Sequence, residues 1–172
     1  MINIRFSKTY SFRLPGITLF ILTVIYFAAC STSSTKPDND NGSGDTTVAD
    51  IISVQVTGTS NAYTFSVGIQ SPDTGCGQYA DWWEVLSESG HLIYRRILTH
   101  SHVNEQPFVR SGGPVQIEAD EVVYVRAHMH PDGYGGRVFQ GSVQSGFEEA
   151  AVSSDFASEV ETEAPQPAGC AF

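Results

Sequence analysis

Four of the five histidines in this chain occur as two H-x-H pairs, His100/His102 and His128/His130. Side chains at positions i and i+2 of a β-strand project from the same face, about 6–7 Å apart, so two imidazoles can reach one metal ion. Two such pairs on neighbouring strands would supply four nitrogen ligands, a set that suits Zn or Cu. Glu105 follows the first pair and is a candidate carboxylate ligand. The spacing therefore predicts a Zn or Cu site, and the alternative is that these histidines end strands and hydrogen-bond to loop backbone.

The second histidine pair ends a segment, residues 121–130, in which apolar and polar side chains alternate. Successive side chains of a strand point to opposite faces, so the alternation separates two sets of residues. The apolar set consists of Val123, Val125, Ala127 and Met129. The set that can hydrogen-bond consists of Tyr124, Arg126, His128 and His130. This pattern predicts a half-buried strand, with the protein core on one face and any chemistry on the other.

A second candidate site is an anion- or carboxylate-binding site built around arginine. Five of the six basic residues that follow residue 29 lie between positions 95 and 137. Arginine binds carboxylates through two parallel hydrogen bonds. The residues that we expect to contact such a ligand are Arg110, Arg126, Tyr124 and Trp83. The alternative is that the arginines pair across strands with glutamates, namely Glu84, Glu105, Glu118 and Glu121.

The charge of the chain argues against nucleic acid as a partner. The sequence has 9 basic and 19 acidic side chains and a formal net charge of −10. Three of the basic residues (Arg5, Lys8 and Arg13) precede residue 30, so the remainder has 6 basic and 19 acidic side chains and a net charge of −13. Nucleic-acid binding depends on Lys and Arg that contact phosphates. An acidic surface of this kind favours solubility instead.

The first 29 residues are organised like an export signal. The three basic residues precede an apolar stretch over residues 17–27, which is followed by two alanines. The weakly polar run over residues 14–29 is short for a helix that must cross about 30 Å of hydrocarbon. We therefore predict a cleaved signal peptide over residues 1–29, with a transmembrane anchor as the alternative.

The end of this segment, Phe27-Ala28-Ala29-Cys30, resembles the lipobox of bacterial lipoproteins. The resemblance implies cleavage before Cys30, acylation of that cysteine and attachment to the membrane, because two or three acyl chains hold a protein durably on a bilayer. The residue after the cysteine is Ser31 and not Asp. In this the chain resembles the lipoproteins that Gram-negative bacteria sort to the outer membrane. We therefore expect a lipid-anchored protein of the cell envelope, in the outer membrane of a Gram-negative bacterium.

Period-two alternation recurs through residues 49–143 and predicts an all-β fold. About seven such segments, separated by turn residues, favour an immunoglobulin-like or fibronectin-III-like antiparallel β-sandwich. A small barrel or a jelly roll is the alternative. Residues 30–48 are polar and predict a flexible linker behind the lipidated cysteine, and residues 144–172 predict an acidic, partly disordered tail.

Two cysteines remain once Cys30 is assigned to the lipid. Disulfides persist in an export compartment, so a Cys76–Cys170 bridge would connect the C-terminal tail to the sheet. The alternatives are a loose tail with two free thiols, or an activated Cys76 thiol beside a histidine.

The sequence favours binding over catalysis, because no arrangement of nucleophile and base stands out in it. Within residues 76–136, the blocks D-W-W-E and H-S-H-x-N-E-Q-P-F are similar to blocks of uncharacterised bacterial secreted proteins, a similarity that implies no activity. We therefore expect a non-catalytic domain that binds a small ligand or a protein partner on a lipid anchor. The alternative is a Zn- or Cu-binding protein of the periplasm or cell surface.

Overall fold

A computed structural model describes residues 47–171 of the chain. The predicted signal peptide, the predicted lipidation site Cys30 and residues 31–46 of the predicted linker lie outside the described residues. The described part consists of eight strands and one short 3-10 helix, Ser158–Thr162. The strands are β1 (Asp50–Thr59), β2 (Ala62–Gln70), β3 (Tyr79–Ser87), β4 (Leu92–Ile97), β5 (Phe108–Val115), β6 (Val123–His130), β7 (Val138–Ser142) and β8 (Gly146–Ala150). No helix in this part of the chain is long and apolar enough to cross a membrane.

The strands form two antiparallel sheets. The three-stranded sheet has the order β1-β2-β5, and the five-stranded sheet has the order β4-β3-β6-β7-β8. Over residues 47–171 the two sheets remain separate and do not close into a barrel. The prediction of an all-β sandwich is therefore confirmed, with eight strands where about seven were expected. The immunoglobulin-like or fibronectin-III-like assignment stays a prediction.

The hydrophobic core lies between the two sheets and contains the inward-facing residues that the alternation predicts. From β2 it receives Tyr63, Phe65, Val67 and Ile69, all of which are buried. Trp83 on β3 is 0% exposed and belongs to the same core. Burying a large apolar side chain stabilises a fold by roughly 1.5–3 kcal/mol, so this layer is the main source of stability. Trp83, a candidate ligand-binding residue, thus has its side chain in the core.

The outer face of the five-stranded sheet is covered by the last described part of the chain. We call residues 151–171 the C-terminal strap. Ala157 and Val160 of the strap are buried, and they form a second apolar cluster with Leu86 of β3. Leu92 and Tyr124 of the sheet and Phe156 of the strap pack around this cluster. The strap therefore adds a third layer to the sandwich.

The segment after residue 143, predicted from the sequence as an acidic, partly disordered tail, includes one strand and the strap. Residues 146–150 form β8, which pairs with β7 and extends the five-stranded sheet. In the strap, the acidic side chains of Glu159, Glu161 and Glu163 are exposed. Phe156, Ala157 and Val160 pack against the sheet instead. These three acidic residues thus lie on the solvent-facing side of the strap.

Candidate functional site

An irregularity in the pairing of β3 with β6 brings two polar side chains together on the outer face. The register shifts between Ala80 and Trp82, so Asp81 occupies a bulge, while Trp82 lies opposite His128. A bulge of this kind redirects a side chain relative to a regular strand. Here it brings the Asp81 carboxylate to the imidazole of His128, with 2.6 Å between Oδ1 and Nδ1.

Asp81 and His128 form a buried carboxylate–imidazole pair. Both residues are buried, and the imidazole stacks on the indole of Trp82 with 3.7 Å between ring centroids and 7° between ring planes. The Nδ1–H of His128 donates to the carboxylate, which leaves Nε2 as the second functional atom of the ring. That atom is buried without a hydrogen-bond partner, and Oε1 of Glu161 on the strap lies 3.5 Å from it. The imidazole thus lies between a carboxylate of the sheet and a carboxylate of the strap.

This pair opens onto a cleft of about 600 Å³ between the sheet and the strap. The sheet contributes Tyr79, Trp82 and His130, in addition to the Asp81–His128 pair. The strap contributes Glu161, Thr162, Gln166, Pro167, Gly169 and Cys170. Among the described residues that line it there is no Lys or Arg. The cleft is therefore acidic and rich in imidazole, although two buried arginines lie next to it.

Those arginines form a buried ionic cluster around Glu84. The Glu84 carboxylate accepts hydrogen bonds from Nε of Arg95 and from Nε of Arg126, both at 2.8 Å, and its side chain is 0% exposed. The remaining guanidinium donors reach the backbone carbonyls of the strap. Arg95 donates to the carbonyls of Val160, Glu163 and Pro165, and Arg126 donates to those of Phe156 and Ala157. Buried charges are tolerated when their hydrogen bonds are satisfied, and here five main-chain acceptors satisfy them.

Tyr134 packs against this cluster. The guanidinium of Arg126 lies 3.5 Å from the centroid of the Tyr134 ring. Burial and the neighbouring Glu84 charge raise the pKa of the Tyr134 hydroxyl, so the phenol stays neutral. Both the Tyr134 hydroxyl and Nε1 of Trp82 are buried without a hydrogen bond of ordinary geometry.

The first histidine pair lies on the loop between β4 and β5 and is not part of a strand. The His102 ring is buried and stacks on Phe108, with 3.8 Å between centroids. Its backbone N–H donates to Oδ2 of Asp73 at 2.7 Å, while neither ring nitrogen has a hydrogen-bond partner. Burial lowers the pKa of His102, and the positive charge of Arg110 lowers it further. The neutral ring is therefore favoured. This geometry is typical of a packed loop residue.

The structure does not assemble the predicted metal ligands into one group. Over residues 47–171, no set of three or more His, Cys, Asp or Glu side chains is arranged to hold a metal ion. Glu105 pairs instead with Arg110, at 2.7 Å, and the hydrogen bond from Arg110 lowers the Glu105 pKa. The donor set thus does not fit an ion held jointly by His100, His102, His128 and His130, and a metal role for these residues stays a prediction.

The predicted ligand-binding residues are likewise separated. Arg110 is on β5 of the three-stranded sheet, whereas Arg126 is on β6 and is engaged with Glu84. Tyr124 packs against Phe156 of the strap, with ring centroids 4.9 Å apart. The alternative interpretation, in which arginines pair with glutamates, describes the contacts of both Arg110 and Arg126.

Cys76 and Cys170 are joined by a disulfide, with 5.5 Å between their Cα atoms. Cys76 is on the loop between β2 and β3, and Cys170 is near the end of the strap. The bridge lines one end of the cleft.

Sequence reasoning could not find Glu161, because it lies in the segment that was predicted as a tail, and regular alternation does not place Asp81 beside His128. The D-W-W-E block was visible, but its alternation assigns Asp81 and Trp83 to the same face of a regular strand. Only the bulge brings Asp81 to His128.

Comparison with known proteins gives one relevant similarity. The chain is 39% identical over 85 residues to a protein of the archaeon Halomicrobium mukohataei that is named "Putative lipoprotein". The match covers 49% of this chain and 42% of that protein, so the chain spans less than half of the relative's length. No family model matches the chain, and no solved structure matches it.

Proposed function

We propose that this protein is a lipid-anchored lipoprotein of the cell envelope whose β-sandwich binds a ligand or partner without catalysing a reaction. The lipid anchor is supported by the Phe27-Ala28-Ala29-Cys30 motif and by the similarity to an archaeal protein named as a lipoprotein. Placement in the outer membrane of a Gram-negative bacterium is supported by Ser31 alone, because the relative comes from an archaeon.

The binding site that we propose is the cleft between the five-stranded sheet and the strap. The observation that carries this proposal is the buried Asp81–His128 pair, whose Nε2 has no hydrogen-bond partner and faces Glu161 at the cleft. Buried polar atoms in folded proteins are nearly always hydrogen-bonded, so an unpaired one in a cleft favours a ligand group there. A non-catalytic role is supported by the sequence, in which no arrangement of nucleophile and base stands out.

The lipid anchor is tested by metabolic labelling with an alkyne-bearing palmitate in cells that express the full chain. We expect label on the wild-type protein and none on the Cys30→Ala variant, which also keeps its signal peptide. Equal labelling of the two proteins would contradict lipidation at Cys30. Membrane fractionation of the same cells then tests the outer-membrane placement.

The cleft is tested by a thermal-shift screen of amino acids, peptides, sugars and nucleosides on the full-length protein in detergent. Hits are then measured by calorimetry on Glu161→Gln, whose side chain is 49% exposed and therefore tolerates substitution, and on His128→Ala. We expect both variants to weaken binding at least tenfold. Arg110→Ala, on the other sheet, is the matched control and should bind like wild type. A ligand whose affinity neither cleft variant changes would contradict this site.

The second candidate function is Zn or Cu binding. The observation that favours it is the Asp81–His128 pair, because a carboxylate that orients one ring nitrogen is the usual support of a metal-binding imidazole. Nε2 of His128 and the Glu161 carboxylate are two donors, one fewer than the smallest protein set found in catalytic zinc sites. Elemental mass spectrometry tests it: stoichiometric metal that is lost in His128→Ala and retained in His102→Ala supports the candidate, and a metal-free protein contradicts it.

A further inference from the structure

The strap is attached to the sheet in two different ways along its length. Residues 156–165 are anchored by buried contacts: five of their backbone carbonyls accept hydrogen bonds from Arg95 and Arg126. Ala157 and Val160 are buried in the same region. These contacts involve charged donors and an apolar cluster, so we expect this part to open only with the sheet itself.

Residues 166–171 have much weaker contacts with the rest of the domain. The side chain of Gln166 donates to the carbonyls of Glu161 and Glu163, which belong to the strap itself. Over the described residues, the hydrogen bonds from this end of the strap to the remainder of the domain reduce to Ala171 N–H donating to the Thr99 carbonyl, at 2.5 Å. The disulfide is the other connection. The covalent bond therefore accounts for most of the attachment of this end.

The same end of the strap forms part of the cleft. Gln166, Pro167, Gly169 and Cys170 line it, opposite Tyr79 and His130 of the sheet. Both half-cystines line the cleft and are half-buried, so the disulfide is not enclosed in the core. Cys76 is flanked by Gly75 and Gly77, and a Cβ built on either glycine would meet no atom within 4 Å. A thiol reagent thus has room to approach the bond from the cleft and from the loop.

We propose that the Cys76–Cys170 disulfide is a reducible lock on the cleft and the site at which a dithiol reductant acts on this protein. A thiolate of the reductant attacks one sulfur, the S–S bond breaks, and a mixed disulfide forms as the other cysteine leaves and takes up a proton. The second thiol of the reductant then displaces the first cysteine. The reductant is oxidised to its disulfide, and Cys76 and Cys170 end as two thiols.

Reduction in this scheme releases residues 166–171 and leaves residues 156–165 in place. The outer wall of the cleft then becomes mobile, while the Asp81–His128 pair and the Glu84 cluster stay covered. We infer that this mobility controls access to a bound ligand, and this step rests on the proposed function. The release itself does not depend on any ligand.

The test is backbone ¹⁵N relaxation of the full-length protein in detergent, before and after dithiothreitol. Intact mass after alkylation verifies the chemistry, because reduction adds two alkyl groups whatever the state of Cys30. We expect the order parameters of residues 168–171 to fall from about 0.85 to below about 0.6, the values of rigid and flexible backbone. The values for residues 156–163 should not change, and reoxidation should restore the first state.

A Cys76→Ser/Cys170→Ser double variant reproduces the reduced state without reductant and should show the same mobile end. Three results would each overturn the proposal. The first is a fully reduced protein in which residues 168–171 stay rigid. The second is loss of order throughout the sheet, because the stability of the whole fold would then depend on the bond. The third is a native protein that millimolar dithiothreitol does not reduce. Because no ligand is present, failure of the cleft-binding proposal would leave all of these outcomes unaffected.

Discussion

Glu84 and Arg126 are direct partners across the β3–β6 pair and form a buried ion pair with 2.8 Å between Oε1 and Nε. The second oxygen of the carboxylate accepts from Arg95. One negative charge thus balances two positive ones, and the excess is distributed over backbone carbonyls of the strap. The sheet and the strap are consequently parts of a single electrostatic unit, in which each is needed to satisfy the other.

The Glu84→Gln variant tests this unit. Removing the carboxylate charge leaves two buried guanidinium groups without a counter-ion, a change that costs about 3–5 kcal/mol for a buried pair. We expect the free energy of unfolding, measured in urea, to fall by about that amount. Glu88→Gln, at an exposed position after β3, is the matched control and should remain within about 0.5 kcal/mol of wild type. Similar stabilities of the two variants would show that the cluster contributes little.

Docking of the strap is tested by Val160→Ala. Val160 is 1% exposed, and its truncation removes two methyl groups from the cluster with Leu86. We expect a loss of roughly 1–3 kcal/mol of unfolding free energy. Val103→Ala removes the same atoms from a side chain that is 47% exposed, and it should change stability by less than about 0.5 kcal/mol. A strap that is loose in solution would make the two variants indistinguishable.

His102 gives the protein a stability that depends on pH. Its pKa is lowered in the folded state, so below pH 6.5 the unfolded chain binds a proton more readily than the folded chain does. Stability from this residue is therefore complete above that pH and decreases as the pH falls toward the folded-state pKa. In urea titrations at pH 7.5 and pH 5.5, His102→Phe should lose less stability on acidification than wild type does. An unchanged difference between the two pH values would disprove the contribution. The exposed His91→Gln variant is the control that retains His102.

Both tryptophans should be inaccessible to a fluorescence quencher. Trp83 is 0% exposed in the core, and Trp82 is 3% exposed beneath the strap. The single-tryptophan variants Trp82→Phe and Trp83→Phe separate the two signals, and iodide should quench neither. Deleting residues 151–172 should make Trp82 quenchable and leave Trp83 protected. Strong quenching of Trp82 in the undeleted chain would mean that the strap does not cover it.

The alternation of side chains was sufficient to predict an all-β sandwich, although not the order of its strands. The segment 121–130 contains β6, and Val123, Val125 and Met129 lie in the core as their spacing requires. The same rule does not hold at β3, because the bulge at Asp81 depends on how two distant strands align. It is also not applicable to His100 and His102, since their segment is a loop.

The strap was harder to predict from sequence for a different reason. Most of its apolar residues are alanines, and Ala157 and Val160 are the residues that it buries in the second cluster. The contacts that hold it are made by main-chain carbonyls. Every residue has such a carbonyl, so the residue types of the strap do not indicate these contacts. The arginines that bind those carbonyls are on β4 and β6, far from the strap in sequence.

Recognition through main-chain carbonyls has a consequence for how this protein can change. The five acceptors that receive Arg95 and Arg126 persist whatever side chains the strap carries. Exposed positions such as Glu159, Glu161 and Glu163 are therefore free to vary without weakening the attachment. Glu161 lines the cleft, so related chains can alter what the cleft accepts while their architecture stays the same. Among related chains, the exposed side chains of the strap would then vary with the ligand, whereas Arg95, Arg126 and Glu84 would stay constant because the fold needs them.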